Sequence, residues 1–514
     1  MVFGLRRSNP KTLMVIEETA KRKDGEREEA KEEIFKFEIP FIGREFLITR
    51  EKVLGGQDLL RFSGIGFLNV LKRLEDGSLR YVVNEWSITD KEREMISTIL
   101  SDLIRFQEFY YDDLVAGKLD EVVGKIVSKY GFDIKFKLSR DKIMYYVIRD
   151  TLGFGLIHPL VYDPHITDID VKGTDPARVK IREFAGRWID TNVRFPDEFS
   201  LRQFISRVAS LYGRGISEAT PLVSFVYKNL KDQIRFRVAA SLGGVKSDQT
   251  TVQIRKFPPK PFLFNDLIKF GTLSPEAAAA IWLLVDSKGK IAFAGPVGTG
   301  KTTLLNAALA MFDPRKKLVT IEDIEELALD FKGNSWVPYY ARGGDFYEIV
   351  KFALRITPDL LILAEVLGRE LGDVLASQTG HGLAFTIHAN NLEEFKMRVR
   401  TLLRMYFGEN ASEELIKTFE REIWTVLFMS TRENRRILER MYMIDVRTGE
   451  TTDIYRYPVD FDLDEFLRQV SERTNKEVNE LGREFLDRVK FIEDHMDDGL
   501  EDLYASLLDW YNSR

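Results

Sequence analysis

Residues 295–303 read Gly-Pro-Val-Gly-Thr-Gly-Lys-Thr-Thr, a spacing of glycine, lysine and hydroxyl groups suited to holding phosphate. Gly295, Gly298 and Gly300 let the main chain turn its N–H groups around an anion, with Pro296, Val297 and Thr299 filling the loop between them. Lys301 supplies charge for β- and γ-phosphates, and Thr302 offers a hydroxyl to Mg2+ at the N-terminus of the helix that it and Thr303 begin. The cofactors this pattern asks for are a nucleoside triphosphate, ATP or GTP, together with Mg2+.

Three further groups of residues carry matching chemistry. Leu360–Ala364 is an apolar run ending in Glu365, which places a carboxylate at a strand's carboxyl end, where a second Mg2+ contact belongs. Thr320–Leu327 puts Glu322, Asp323, Glu325 and Glu326 after another apolar run; one of them is expected as the base that orients water, although acids are also common in a first helical turn. His381 and His388 flank a buried strand candidate, as polar site residues or as histidines merely hydrogen-bonded at strand ends. Arg235 and Arg237 alternate on one face of a strand candidate and Arg255 lies on the next, either solvated or available to a phosphate in another subunit.

The elements that must position these groups fall into blocks. Glu17–Glu33 is a mixed-charge run expected as a solvated helix or flexible arm. Ile34–Ile39 alternates like a half-buried strand, Tyr81-Val-Val reads as another, and Thr89-Asp-Lys-Glu92 is a capping box opening a helix through Ile96, Leu100 and Leu103. Residues 1–130 thus read as a variable α+β region, and 131–257 as a smaller α/β domain, with strands at Ile166–Val171, Val179–Arg182, Arg187–Asp190, Gln233–Ala240 and Thr251–Arg255. Pro258-Pro-Lys-Pro261 is the linker. In 262–457 fully apolar strands (Ile291–Ala294, Lys317–Ile321, Leu360–Ala364, Ala384–Ile387) alternate with helices, which implies a mostly parallel sheet covered on both faces. Residues 458–514 form an acidic helical extension, with Val478, Leu481, Phe485, Val489 and Ile492 at spacings of three and four.

Composition excludes several classes. The chain has no cysteine, which removes disulfides, thiolate metal sites and thiol catalysis. Its 75 basic and 81 acidic residues nearly cancel, which argues against nucleic acid as a partner of the whole molecule. There is no signal-peptide core and no run of 18 apolar residues, so a cytoplasmic protein, peripheral to any membrane, is expected.

Taken in order, the phosphate loop, Thr320–Leu327, the stretch Leu354-Arg-Ile-Thr-Pro-Asp359 through Glu365, and Thr379-Gly-His-Gly382 with Thr386-Ile-His-Ala-Asn390 resemble the Walker A, Asp, Walker B and His boxes of the type II secretion and type IV pilus ATPase superfamily. The resemblance spans about residues 150–450. It is nearest the archaeal branch that includes the archaellum motor ATPase, through Thr251–Phe257 and Pro258–Ala279. It implies a RecA-like motor domain preceded by a smaller PAS-like α/β domain, assembling as a homo-hexamer with ATP between subunits. It also implies Glu326 as catalytic base, Glu365 as the Walker B acid, His381 and His388 as γ-phosphate sensors, and Arg237 and Arg255 completing a neighbour's site. The implied partners are a polytopic membrane platform protein and, through it, pilin-like subunits. Related readings are a DNA-transfer translocase and an ATP-binding scaffold with little turnover. The latter is prompted by Ala364 and Leu367, which stand where the family commonly has Gly and Arg. The four-cysteine zinc module of many bacterial members is excluded.

Overall fold

The computed structural model describes residues 33–39, 44–50, 56–105, 118–184, 187–229, 234–245, 247–258, 260–341, 346–376, 380–433, 435–458 and 460–514. The expected charged arm lies, up to residue 32, outside them, as do Pro259 of the linker and Thr379 of the His box. The chain forms two compact units, Met1–Pro259 and Lys260–Arg514, and the division falls within the proline run, whose residues suit neither helix nor ladder.

In the first unit, β1 (Glu33–Ile39) and β2 (Arg44–Arg50) pair antiparallel. The rest is organised on β3 (Gln57–Gly64), β4 (Phe67–Arg73), β5 (Leu79–Glu85), β6 (Ile166–Lys172), β7 (Arg178–Ile181), β8 (Ile189–Thr191), β9 (Val193–Arg194), β10 (Leu222–Asn229), β11 (Ile234–Ser241) and β12 (Thr251–Lys256). β9 joins β2, and the remaining nine strands form one sheet in the order β10-β11-β12-β6-β7-β8-β5-β4-β3. Strands on both sides of residue 130 therefore share one ladder, through the parallel pair β5 and β8. The capping box forms: Thr89 N–H donates to Glu92 Oε2 at 2.8 Å, Glu92 N–H donates to Thr89 Oγ1 at 3.3 Å, and the helix Asp90–Arg105 follows with Ile96, Leu100 and Leu103 buried. One side of the sheet, carrying Phe236, Val238, Val252 and Ile254, packs into the unit's core, where the helix Glu198–Leu211 contributes Leu201, Ile205 and Val208. Alternation sends Arg237 and Arg255 to the other face.

The second unit is built on β13 (Lys290–Ala294), β14 (Leu318–Glu322), β15 (Trp336–Tyr340), β16 (Leu360–Leu363), β17 (Gly382–Ile387), β18 (Thr425–Arg432), β19 (Arg435–Ile444), β20 (Thr451–Arg456) and β21 (Asp460–Phe461). Their order is β15-β14-β16-β17-β13-β18-β19-β20-β21, parallel as far as β18 and antiparallel beyond. The residues of β14, β16 and β17 are all buried, because helices cover both faces and successive side chains feed two cores in turn. Leu360 and Ile362 enter one core, and Leu361 and Leu363 the other. β17 is interposed between β13, which feeds the phosphate loop, and β16, which ends at Leu363 just before Glu365. That is the RecA-like order.

The acidic C-terminal segment is part of this unit's core. Ser274 caps the helix Pro275–Asp286 by accepting from Ala277 N–H at 3.2 Å, and Ala277–Val285 are buried without a break. Such a helix needs cover on every side. The helices Leu463–Thr474, Val478–Asp494 and Leu500–Asn512 help to provide it through Phe466, Phe485, Phe491, Leu507 and Tyr511. Tyr511 OH lies 2.6 Å from Asp286 Oδ2 and accepts from Trp282 Nε1 at 2.8 Å, and Arg488 donates to the same carboxylate at 2.7 Å.

Candidate functional site

β13 ends at Ala294 and the chain turns at once into the loop that Lys301–Met311 closes as a helix. Gly300 caps that helix with φ 96°, and Gly298 has φ 80°, a backbone region that other residues enter only with strain. Thr299 Oγ1 donates to Pro296 O at 2.8 Å and pins the turn. The Lys301 side chain folds back under the loop, donating to Gly295 O and Pro296 O at 2.9 Å each. Val297 is exposed at the tip.

The interposed strand supplies the next contact. His388 follows β17, and its Nδ1 accepts from Lys301 Nζ at 3.0 Å while its Nε2 stands 3.0 Å from Glu365 Oε1. An ammonium has only donors, so Nδ1 is the acceptor and Nε2 carries the proton toward the carboxylate. Burial pulls the Lys301 ammonium below the ordinary lysine range, and the carboxylates of Glu365 and Glu326 oppose that shift. Lysine, imidazole and carboxylate thus form one connected chain. The position of Glu365 is fixed through its neighbours: Ala364 N–H donates to Ile321 O at 2.9 Å, Val366 N–H to Thr386 O at 3.0 Å, and Thr386 Oγ1 to Ala364 O.

The loop after β14 is held from two sides. Glu322, fully buried, accepts from Glu326 N–H at 2.8 Å and Leu327 N–H at 2.9 Å, and Asn306 on the Lys301 helix accepts from Ala328 N–H at 2.8 Å. Of the four acids expected here, Glu322 is thereby committed to backbone, whereas Glu326 is exposed on the held loop. Sequence reading treated Glu322 as a candidate base, placed Thr386 in the His-box stretch without giving it a role, and did not identify Asn306; a lone Asn on a helix carries no local signal.

The other expected residues are placed differently. His381 precedes β17 and so lies at the opposite end of the parallel strands from Lys301, roughly 20 Å along a six-residue strand. There burial lowers its pKa to about 4, and Lys290 and Lys288 push the same way. The structure does not bring His381 to the phosphate loop of its own chain. Arg237 and Arg255 are direct cross-strand partners on β11 and β12 of the first unit. Leu367 points outward and is exposed, Glu370 Oε1 accepts from Leu367 N–H at 2.6 Å and Gly368 N–H at 2.7 Å, and Arg369 lies over the Tyr347 ring at 4.4 Å. The variation at Leu367 thus falls on a loop whose backbone is secured without an arginine there.

Thr302 and Glu365 offer a hydroxyl and a carboxylate, an oxygen donor set that fits Mg2+. Among the described residues no group of three or more His, Asp or Glu side chains is placed to hold a metal ion by itself.

A family model described as "Type II/IV secretion system protein" matches residues 152–418. An uncharacterised protein of Methanocaldococcus jannaschii is 27% identical over 399 residues, which cover 72% of this chain and 70% of the relative. A putative conjugal transfer protein of Mycobacterium tuberculosis is 31% identical over 268 residues, 49% of this chain and 73% of the relative. The X-ray structure of the Legionella pneumophila ATPase DotB is similar with a TM-score of 0.41 at 20% identity, covering 63% of this chain and 84% of that one.

Proposed function

Because this chain belongs to the type II/IV secretion system protein family, we propose that it is an ATP-hydrolysing motor that works as a homo-hexamer on the cytoplasmic face of a membrane. There it drives a polytopic platform protein to assemble an archaeal filament, whether pilus, archaellum or pseudopilus, from pilin-like subunits. The observation that carries the hydrolytic part is the chain Lys301–His388–Glu365, which ties the phosphate loop across β17 to the carboxylate that follows β16.

In this reading the loop N–H groups and Lys301 hold the phosphates, Thr302 and Glu365 hold Mg2+, and Glu326 orients the attacking water. The metal, when bound, draws charge from the β- and γ-phosphates. His388, on taking up a proton from solvent at Nδ1, exchanges the bond it accepts from Lys301 for one it donates to the γ-phosphate, with Nε2 still on Glu365, and so reports whether that phosphate is present. Arg237 and Arg255 act on the nucleotide of an adjacent subunit, and His381 serves a contact other than its own chain's loop. Among the described residues no helix is long and apolar enough to cross a membrane.

The test is Mg2+-dependent ATP turnover by the full chain and by Lys301→Ala and Glu326→Gln. Both variants are expected to lose at least about 100-fold in rate; unimpaired turnover in both overturns the reading. A second reading, a DNA-transfer translocase, is favoured by the conjugal transfer relative. It requires binding of single-stranded DNA that weakens steeply with salt.

A further inference from the structure

The phosphate loop has two flanks, because β13 lies between β17 and β18. β17 delivers His388 to one flank, and β16, beyond it, is followed by Glu365 on the same side. The other belongs to the hairpin of β18 and β19. Ala294, the last residue of β13, pairs with Phe428, so Met429–Arg432 run on past the point where β13 gives way to the loop. A side chain on Gly295 would collide with the Met429 carbonyl, so hairpin and loop are in direct contact. On the returning strand Arg436 pairs with Thr431, and its Cδ lies 3.4 Å from the place a Cβ on Gly300 would occupy.

Two other arginines of this hairpin are engaged, Arg432 with Glu439 and Arg440 with Asp453, and Arg435, next to Arg436, alternates to the opposite face of the strand. The Arg436 side chain is exposed, and among the described residues no ion pair or hydrogen bond holds its guanidinium. Its stem rests on the N-cap of the Lys301–Met311 helix, whose dipole is positive at that end, and Lys301 adds a second cation. Cations gathered at the positive end of a helix repel one another until an anion with several charges joins them. A guanidinium is the side chain best shaped to take two phosphate oxygens at once.

We propose that Arg436 is a nucleotide-binding residue, a ligand for the phosphates that ATP and ADP share, reaching them from the flank opposite His388 and Glu365. It rests on the nucleotide reading of the loop. The γ-phosphate flank is the one already lined by His388 and Glu365, which leaves the α- and β-phosphates to Arg436. The division of labour is therefore specific: the β17 flank distinguishes ATP from ADP, and the β18–β19 flank binds both.

Calorimetric titration of ADP and of ATP with Mg2+ into the full chain tests this, using the wild type, Arg436→Ala, Arg436→Lys and Lys301→Ala. Arg436→Ala is expected to weaken ADP and ATP alike, roughly tenfold or more, as loss of a hydrogen bond to a charged group does. Arg436→Lys should recover part of that loss. The nucleotide-free melting temperatures of both Arg436 variants should match the wild type, since the side chain is exposed. ADP binding by Arg436→Ala within twofold of wild type, with binding by Lys301→Ala lost, overturns the proposal and leaves the nucleotide reading intact. Weakening of ATP alone also overturns it, by moving Arg436 to the γ-phosphate. Undiminished binding by Lys301→Ala overturns the nucleotide reading itself.

Discussion

Tyr511→Phe removes one oxygen from a fully packed ring and isolates what that oxygen does. Trp282 Nε1 donates to it at 2.8 Å, and it lies 2.6 Å from Asp286 Oδ2, with Trp282 fully buried and Tyr511 nearly so. The variant leaves no cavity, so the cost is polar. Loss of a hydrogen bond to a carboxylate costs about 1.5–3 kcal/mol, and an orphaned buried indole N–H about 1–3 kcal/mol. Asp286 keeps Arg488, at 2.7 Å, which limits the damage on the acid's side and sets the total near 3 kcal/mol. For a domain of roughly 150–250 residues each kcal/mol moves the melting temperature by about 2–4 °C, so the transition of the second unit should fall by roughly 6–12 °C. Thermal unfolding followed by tryptophan fluorescence is a suitable assay, because Trp282, Trp336, Trp424 and Trp510 all lie in that unit. Tyr504→Phe on the same helix is the control: its ring packs against Phe331 and beneath the Lys332 ammonium, and its hydroxyl makes no hydrogen bond among the described residues. A fall of less than about 2 °C for Tyr511→Phe, or one equal to the control's, would refute the claim that the C-terminal helices are locked to Trp282 and Asp286.

Glu322→Gln should lower ATP turnover by roughly tenfold while leaving ADP affinity near wild type, because the side chain holds the loop that carries Glu326 and touches no phosphate; single-turnover rates and ADP titration separate the two effects. Lys332 is buried with its ammonium on Phe312 O at 2.7 Å, and burial lowers its pKa to about 7. Between pH 7 and the ordinary lysine value the unfolded chain binds more protons than the folded one. Stability relative to Lys332→Met should therefore rise with pH across that window, as denaturant midpoints at pH 7 and 9.5 would reveal. If Arg237 and Arg255 act on a neighbour's nucleotide, mixing Lys301→Ala chains with Arg237→Ala chains should restore part of the turnover that each lacks alone. No recovery over a range of mixing ratios places those arginines elsewhere.

The phosphate loop was legible because its chemistry is local. Glycines that permit positive φ, the lysine and the hydroxyl all fall within nine consecutive residues, and the apolar strand before them is written in the same stretch. The parallel sheet was legible for a related reason: strands buried on both faces need no polar positions, so they stand out as unbroken apolar runs. Capping signals at Thr89 and Ser274 likewise depend on residues three apart. Strand order, by contrast, is written nowhere along the chain. It is decided by which faces pack together, and it alone places His388 between Lys301 and Glu365 while leaving His381, seven positions earlier, at the far end of the same strand. The same holds for Glu322, which sequence shows only as one acid among four until folding turns two N–H groups toward it. It holds for the acidic C-terminal segment too, whose helical period was plain but whose place against Trp282 depends on contacts more than 200 residues apart in the chain. Spacing along the chain determined what chemistry was available, and tertiary packing decided which side chains meet to perform it.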